Sequence, residues 1–244
     1  AAAIVGAIDP KQLLASLVDP VAIGPTMRWR ASNLRTPGVS TKVNLVLDAL
    51  PAFTARGDDE RLLRGRILIG ATSIDDMERA FDATKYGRLP ERPVLEVTIP
   101  SLADPALVDG APTGTHVASA IVQWTVSTLR DADWEACRET IGDLALAMLD
   151  EVAPGTSARV RARQVLTPAD LEREYGLTGG HPMHVEPALD SFFLWRPLLG
   201  WSRYRMPVEG LYLAGSGAHP GGGVTGLPGR NAAREVVADA KRRR

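Results

Sequence analysis

The chain has a single cysteine, Cys137, in 244 residues. One thiol can form no intrachain disulfide, no paired redox motif and no cysteine-rich metal site, so any redox chemistry must belong to a cofactor. Long apolar runs are also missing: no stretch of about 18 such residues occurs, which excludes a membrane-spanning helix from this sequence. Charge of one sign is not in excess, because 28 Lys and Arg stand against 29 Asp and Glu for a net charge of −1. No overall field therefore attracts nucleic-acid phosphates, and the basic end at Lys241–Arg244 reads as a solvated helix terminus that suits the helix dipole. AAAIVGAIDP has neither the basic start nor the long apolar core of a secretory signal. No G-x-S-x-G, H-E-x-x-H or G-K-[ST] motif occurs, and Asp75-Asp76 and Asp58-Asp59 read as cap and loop acids, so a hydrolase or kinase is disfavoured.

What is present suits a soluble globular protein. Apolar residues make up 45% of the chain, enough for one good core or two small ones. Ala2–Ala7 is a short apolar strand with no neighbour nearby in sequence, an edge awaiting a partner, and the expectation is that a further segment belongs before it. Lys11–Val18 gives a helical turn or two. Alternation marks strands at Ser40–Leu50, Arg66–Gly70, Pro93–Ile99 and His116–Val126, the last the longest. Between the second and third of these, Ser73–Tyr86 is a helix with Ser73 as N-cap and Ile74, Met77 and Phe81 on its inner side. That order implies a crossover, with the polar residues of the strands on a wet or ligand-facing side of the sheet. Asp133–Val152 is the clearest helix; its stripe through Trp134, Cys137, Ile141, Leu144 and Met148 places Cys137 in the core. Thr167-Pro168-Ala169-Asp170 starts a short helix that Gly176 closes. An irregular segment follows with Phe192, Phe193, Trp195, Trp201 and Tyr204, read either as the wall of an apolar pocket or as anchors for a long loop.

The stretch around which the chain is organised lies near its end. Gly210–Gly215 reads as a strand, Gly215 to Gly223 as a turn through His219, Pro220 and three consecutive glycines, and the rest as a helix with Ala232, Val236 and Ala240 on one side. Glycines let a backbone approach a ligand closely, and the first turn of a helix offers free N–H groups and partial positive charge. A phosphate, a carboxylate or the carbonyl edge of a flavin would be welcome there. The glycines do not spell the dinucleotide fingerprint, since Pro220 stands where its third glycine belongs. A tight loop that only negotiates a corner is the plainer alternative.

The run GLYLAGSGAHPGGGVTGLPGRNAA resembles the C-terminal signature of FAD-dependent oxidoreductases related to phytoene desaturase, and in particular their pyridine nucleotide-disulfide oxidoreductase domain-containing branch. STKVNLVLDALPAF, RPVLEVTIPSLADP, EVAPG and LTPADLEREYGLTGG agree with it in order. The resemblance implies an α/β fold: an α+β substrate domain with a mixed sheet, plus the C-terminal part of a Rossmann-like FAD/NAD(P)-binding domain. It places 1–20 and 206–244 in the FAD-binding domain and 21–205 in the substrate domain. The G-x-G-x-x-G half of that domain is absent from these residues. FAD is the implied cofactor, held by Gly215, Ser216, Gly217, Gly221, Gly222, Gly223, Val224 and Gly226, with His184 and His219 as the candidates for chemistry.

The implied activity is hydride removal from, or isomerisation of, an apolar carbon skeleton lying between the sheet and the aromatic loop. It needs an N-terminal FAD-binding half, in cis or in trans, and the isolated chain is expected to be inactive. A higher oligomer stays open, as do cytoplasmic residence, mitochondrial matrix residence in a eukaryote, a noncatalytic scaffolding subunit of the same fold, and a self-sufficient small α/β protein. No metal site is expected: His181 and His184 flank Pro182 with no cysteine or helix to complete a set.

Overall fold

The computed structural model describes residues 2–56 and 59–243; Asp58, read as a loop acid, and Arg244 lie outside the described residues. In chain order the elements are β1 (Ile4–Gly6), α1 (Pro10–Gln12, continued by a π-helical turn over Leu13–Leu17), α2 (Pro20–Ile23), α3 (Pro25–Ser32), β2 (Ser40–Leu47), β3 (Ile67–Ile69), α4 (Ile74–Lys85), β4 (Val94–Thr98), β5 (His116–Gln123), α5 (Trp134–Val152), β6 (Val160–Leu166), α6 (Pro168–Tyr175), β7 (Leu211–Leu213) and α7 (Leu227–Arg242). They form an α/β fold in two compact units, Ala1–Pro37 with Glu172–Arg244, and Gly38–Leu171. Residues 21–37 and 172–205, placed by the sequence with the central segment, pack in the first unit.

The continuous unit, 38–171, is built on a five-stranded sheet of order β3-β4-β5-β2-β6. Every pairing in it is antiparallel, with Val43 opposite Ala120 and Val165, and Val97 opposite Ala120 and Ile67. The expected mixed sheet is thus corrected. So is the crossover: β3 and β4 are antiparallel neighbours, so the chain must return to the end it left, and α4 forms within that return. Val43, Leu45 and Leu47, Leu95 and Val97, and Ala118, Ala120 and Val122 bury one face against Ile141, Ala145, Met148 and Leu149 of α5. On β2, inward residues alternate with half-exposed Lys42, Asn44 and Val46. Asn44 donates to Gln164 at 3.0 Å and accepts from Ser119 at 3.1 Å, so this second face is polar and internally bonded.

Capping chemistry explains where the helices of this unit begin. Ser73 and Asp76 form a reciprocal box at α4, Asp133 accepts from Ala136 N at 2.7 Å at α5, and Thr167 and Asp170 exchange bonds at α6. The inner side of α4 is Ala80, not Ile74 and Phe81, which are 78% and 38% exposed. Phe81 instead meets Trp124 edge to face at 5.9 Å. Cys137, expected in the core, is half-buried one turn before the fully buried Ile141. β5 ends at Gln123 and so equals β2 in length.

The discontinuous unit joins the two ends of the chain. β1 and β7 pair in parallel, Ile4 opposite Leu211 and Gly6 opposite Leu213. Leu211, Leu213 and Ala214 bury against Leu13, Leu14, Ile23, Met27 and Ala31, with Ala232 of α7 closing the cluster. Ala232 alone of the predicted α7 stripe is fully buried; Val236 is half-exposed and Ala240 exposed. The short helices α2 and α3 had no counterpart in the sequence reading. Each has proline at its first position, which suits the orphaned N–H there, and Asp19 caps α2.

Candidate functional site

β7 runs into the glycine turn, and the turn into α7. Between them lies a cavity of about 310 Å³ lined by Gly215, Ser216, Gly221, Gly222, Val224 and Gly226, with Ala7, Ala214, Thr225, Pro228 and Gly229 completing its wall. A Cβ placed on Gly226 or Gly229 would meet no atom within 4 Å, so the backbone here faces open space. Gly226 is the N-cap of α7 at φ 70, Thr225 Oγ1 accepts from Leu227 N at 3.3 Å, and no acid occupies the first turn. Pro228 has no N–H, which leaves few free donors there, but the helix start keeps a positive partial charge with no acid in its first turn to offset it. Val224 is fully exposed at φ 57, a conformation that costs a β-branched residue energy.

Behind the turn the backbone is tightly seated. A Cβ on Gly217 would lie 2.4 Å from Pro10 Cδ and 3.5 Å from His184 Cβ. Gly217 is thus a packing position and lies outside the cavity lining, as do Gly223, His184 and His219. A group of buried polar atoms accompanies this seat. Asp9 caps α1 through Oδ1, 2.6 Å from Lys11 N, while its Oδ2 is buried without a partner in the protein. His181 is fully buried and accepts from Met183 N at Nδ1, 3.2 Å away, which puts the ring proton on Nε2, and that atom is unpartnered. Burial first, then the charge of Arg196, pushes His181 below its ordinary range, and burial does the same for His184. Both rings are neutral near neutral pH. His184 and His219 each keep a buried Nδ1 without a partner.

No family model matches the chain. It is 42% identical over 219 residues to rat (Rattus norvegicus) pyridine nucleotide-disulfide oxidoreductase domain-containing protein 2, an alignment covering 87% of this chain and 37% of the rat protein. The chain is homologous to that family over part of its length. Phytoene desaturase (neurosporene-forming) of Cereibacter sphaeroides is 30% identical over 146 residues, 59% of this chain and 26% of that protein. The 4,4'-diapophytoene desaturase of Staphylococcus aureus is 28% identical over 154 residues, 62% of this chain and 30% of that protein. The chain thus spans about a third of the length of these curated relatives.

Homology to this oxidoreductase family makes FAD the group to test against the cavity, and the residues suit it. Five of the lining residues are glycines, the first turn of α7 holds no acid, and Gly226 and Gly229 leave room for a flat ring or a phosphate to lie against the backbone. The aromatic segment divides: Tyr204 is buried in the core of this unit with Trp201 packed against it, as loop anchors would be, whereas Phe193 and Trp195 are 57% and 48% exposed and Arg196 between Trp195 and Pro197 is completely buried. Arg196 and Asp9 are the polar residues of this unit that sequence reasoning passed over. Asp9-Pro10 carried a signal, being an acid directly before a first-turn proline, whereas nothing in the pattern distinguishes Arg196 from a surface arginine. Among the described residues no cluster of side chains could hold a metal ion, and no helix is long and apolar enough to cross a membrane.

Proposed function

We propose that this chain is the C-terminal part of an FAD-dependent oxidoreductase, of desaturase, dehydrogenase or redox-neutral isomerase type, acting on an apolar carbon skeleton. The observation that carries the reading is the open cavity with five glycines in its lining at the start of α7, in a chain homologous to this oxidoreductase family. FAD, when bound, supplies the hydride acceptor. Gly215, Ser216, Gly221, Gly222, Val224 and Gly226 contribute backbone N–H groups and steric room for the cofactor, and Gly223, outside the lining, shapes the turn between them. The α7 dipole supports electron density that builds up on the group lodged there. Gly217 sets the turn against Pro10. His184 and His219, each with an uncommitted ring nitrogen, are the side chains proposed to orient a reacting group or carry a proton. Residues 1–20 and 206–244 are assigned to the FAD-binding domain and 21–205 to the substrate domain, and the site is completed by an N-terminal half, in cis or in trans. The phytoene and diapophytoene desaturases among the relatives support the apolar substrate class.

Mixing purified chain with the N-terminal half tests the reading. The chain alone is expected to show no bound flavin absorbance, to acquire it on assembly, and then to be bleached by a substrate of the proposed class. Tight FAD binding by the chain alone, or none by the assembly, overturns it.

A further inference from the structure

Arg196 is the largest completely buried side chain of the described residues. Its guanidinium has no carboxylate partner. Nε donates to Ser216 O at 2.7 Å, Nη1 to Ser191 O at 3.2 Å, and Nη2 to Val185 O at 3.1 Å and to Met183 O. Four backbone carbonyls solvate it, all within this unit. Glu186 is held by Arg35 at 2.6 Å, and Asp9, buried with Oδ1 on the cap of α1 and Oδ2 unpartnered, makes no ion pair with the guanidinium. His181 and His184, the remaining titratable groups that sense Arg196, are neutral. A buried cation without an anion is costly and is retained where something offsets it.

Its position indicates what does so. Ser216, whose carbonyl takes the Nε bond, lines the cavity, and a Cβ on Gly221, another lining residue, would stand 3.7 Å from Arg196 Cδ and Nε. The guanidinium therefore lies one layer beneath the cavity floor, shielded from water, where a charge is felt most strongly. Burial lowers its pKa only to about 10, so the charge is present at neutral pH.

We propose that Arg196 is a positioning residue of the cofactor site: it pins the turn through Ser216 and places a permanent positive charge under the cavity, favouring the anionic form of a reduced flavin lodged there. The proposal rests on the FAD reading above. It makes the site selective for an electron-rich ring edge by charge as well as by backbone geometry, and it gives the buried arginine a function beyond tying one loop to another.

The test uses the wild-type assembly of this chain with its N-terminal half, and the R196K and R196M variants, all loaded with FAD. Reduced flavin in the wild type is expected to stay anionic at pH values where free reduced FAD has taken up its N1 proton, as read from its spectrum. Sulfite, which adds to N5 and reports positive charge near the far side of the ring, serves as probe. R196M at saturating FAD is expected to bind sulfite about tenfold more weakly or worse, and R196K close to wild type. Equal sulfite affinity and equal N1 protonation in R196M and wild type would leave Arg196 a structural staple only and overturn the proposal. If R196M does not fold, the wild type decides: a reduced ring that protonates as free FAD does overturns it, and one that stays anionic supports it. A wild-type assembly that binds no FAD overturns the FAD reading itself, whereas one that binds FAD without the charge signature overturns only the role of Arg196.

Discussion

Asp170 is 1% exposed; it closes the cap of α6 with Thr167 and holds Arg138 of α5 through both carboxylate oxygens. Replacing it leaves Arg138 in a partly buried place without its main acid and frees the helix start, so Asp170→Ala is expected to cost about 2–4 kcal/mol in urea unfolding. Glu135, the other partner of Arg138, is 78% exposed, and Glu135→Ala is expected to cost no more than about 1 kcal/mol. Asp239 offers a pH-dependent counterpart. It accepts from Arg205 at 2.7 Å and Tyr212 at 2.9 Å, and these bonds hold its carboxyl down at about 2. Because the folded value lies below the unfolded one, the contribution is present above about pH 4 and is lost as pH falls through 2. Acid titrations followed by circular dichroism are expected to show a shallower loss of stability across that window in Asp239→Asn than in the wild type.

At the scale of elements, one glycine of the turn and one of α7 separate packing from binding. Gly217→Ala would drive a methyl group into Pro10 and is expected to destabilise the chain by about 1–3 kcal/mol. Gly229→Ala meets nothing. Its expected effect on the unloaded chain is neutral, or stabilising by up to about 1 kcal/mol from helix propensity, with weaker FAD binding by the assembly because the methyl occupies the cavity. A thermal melt paired with flavin titration checks both. Elements with strong periodicity or a capping pair were legible in the sequence: β2, β4, β5, α4, α5, α6 and the β7–turn–α7 run all fall within a few residues of their expected limits. β6 was not, because Arg161 and Arg163 interrupt its apolar pattern. Those arginines are neutralised by Asp48, and by Glu139 and Asp143, partners distant in sequence. α2 and α3 are too short for any period to show. Of the candidate site, the glycine turn between β7 and α7 was legible from its composition, but the buried charge of Arg196 exists only through carbonyls gathered by the fold.

At the scale of the molecule, the two units differ in how the chain builds them. Residues 38–171 form one uninterrupted stretch whose core is drawn from its own sheet and α5. The other unit requires β1 at one end and β7 with α7 at the other. A chain truncated after residue 205 is expected to keep cooperative unfolding in the 38–171 unit while its N-terminal segment exchanges amide hydrogens freely, as hydrogen exchange with mass spectrometry would read. The same pairing sets an order of events during synthesis. Ile4–Gly6 leaves the ribosome some two hundred residues before its only strand neighbour among the described residues is made. Through that interval the edge of β1 that β7 will take stays unpaired, and it is then that misassembly threatens most.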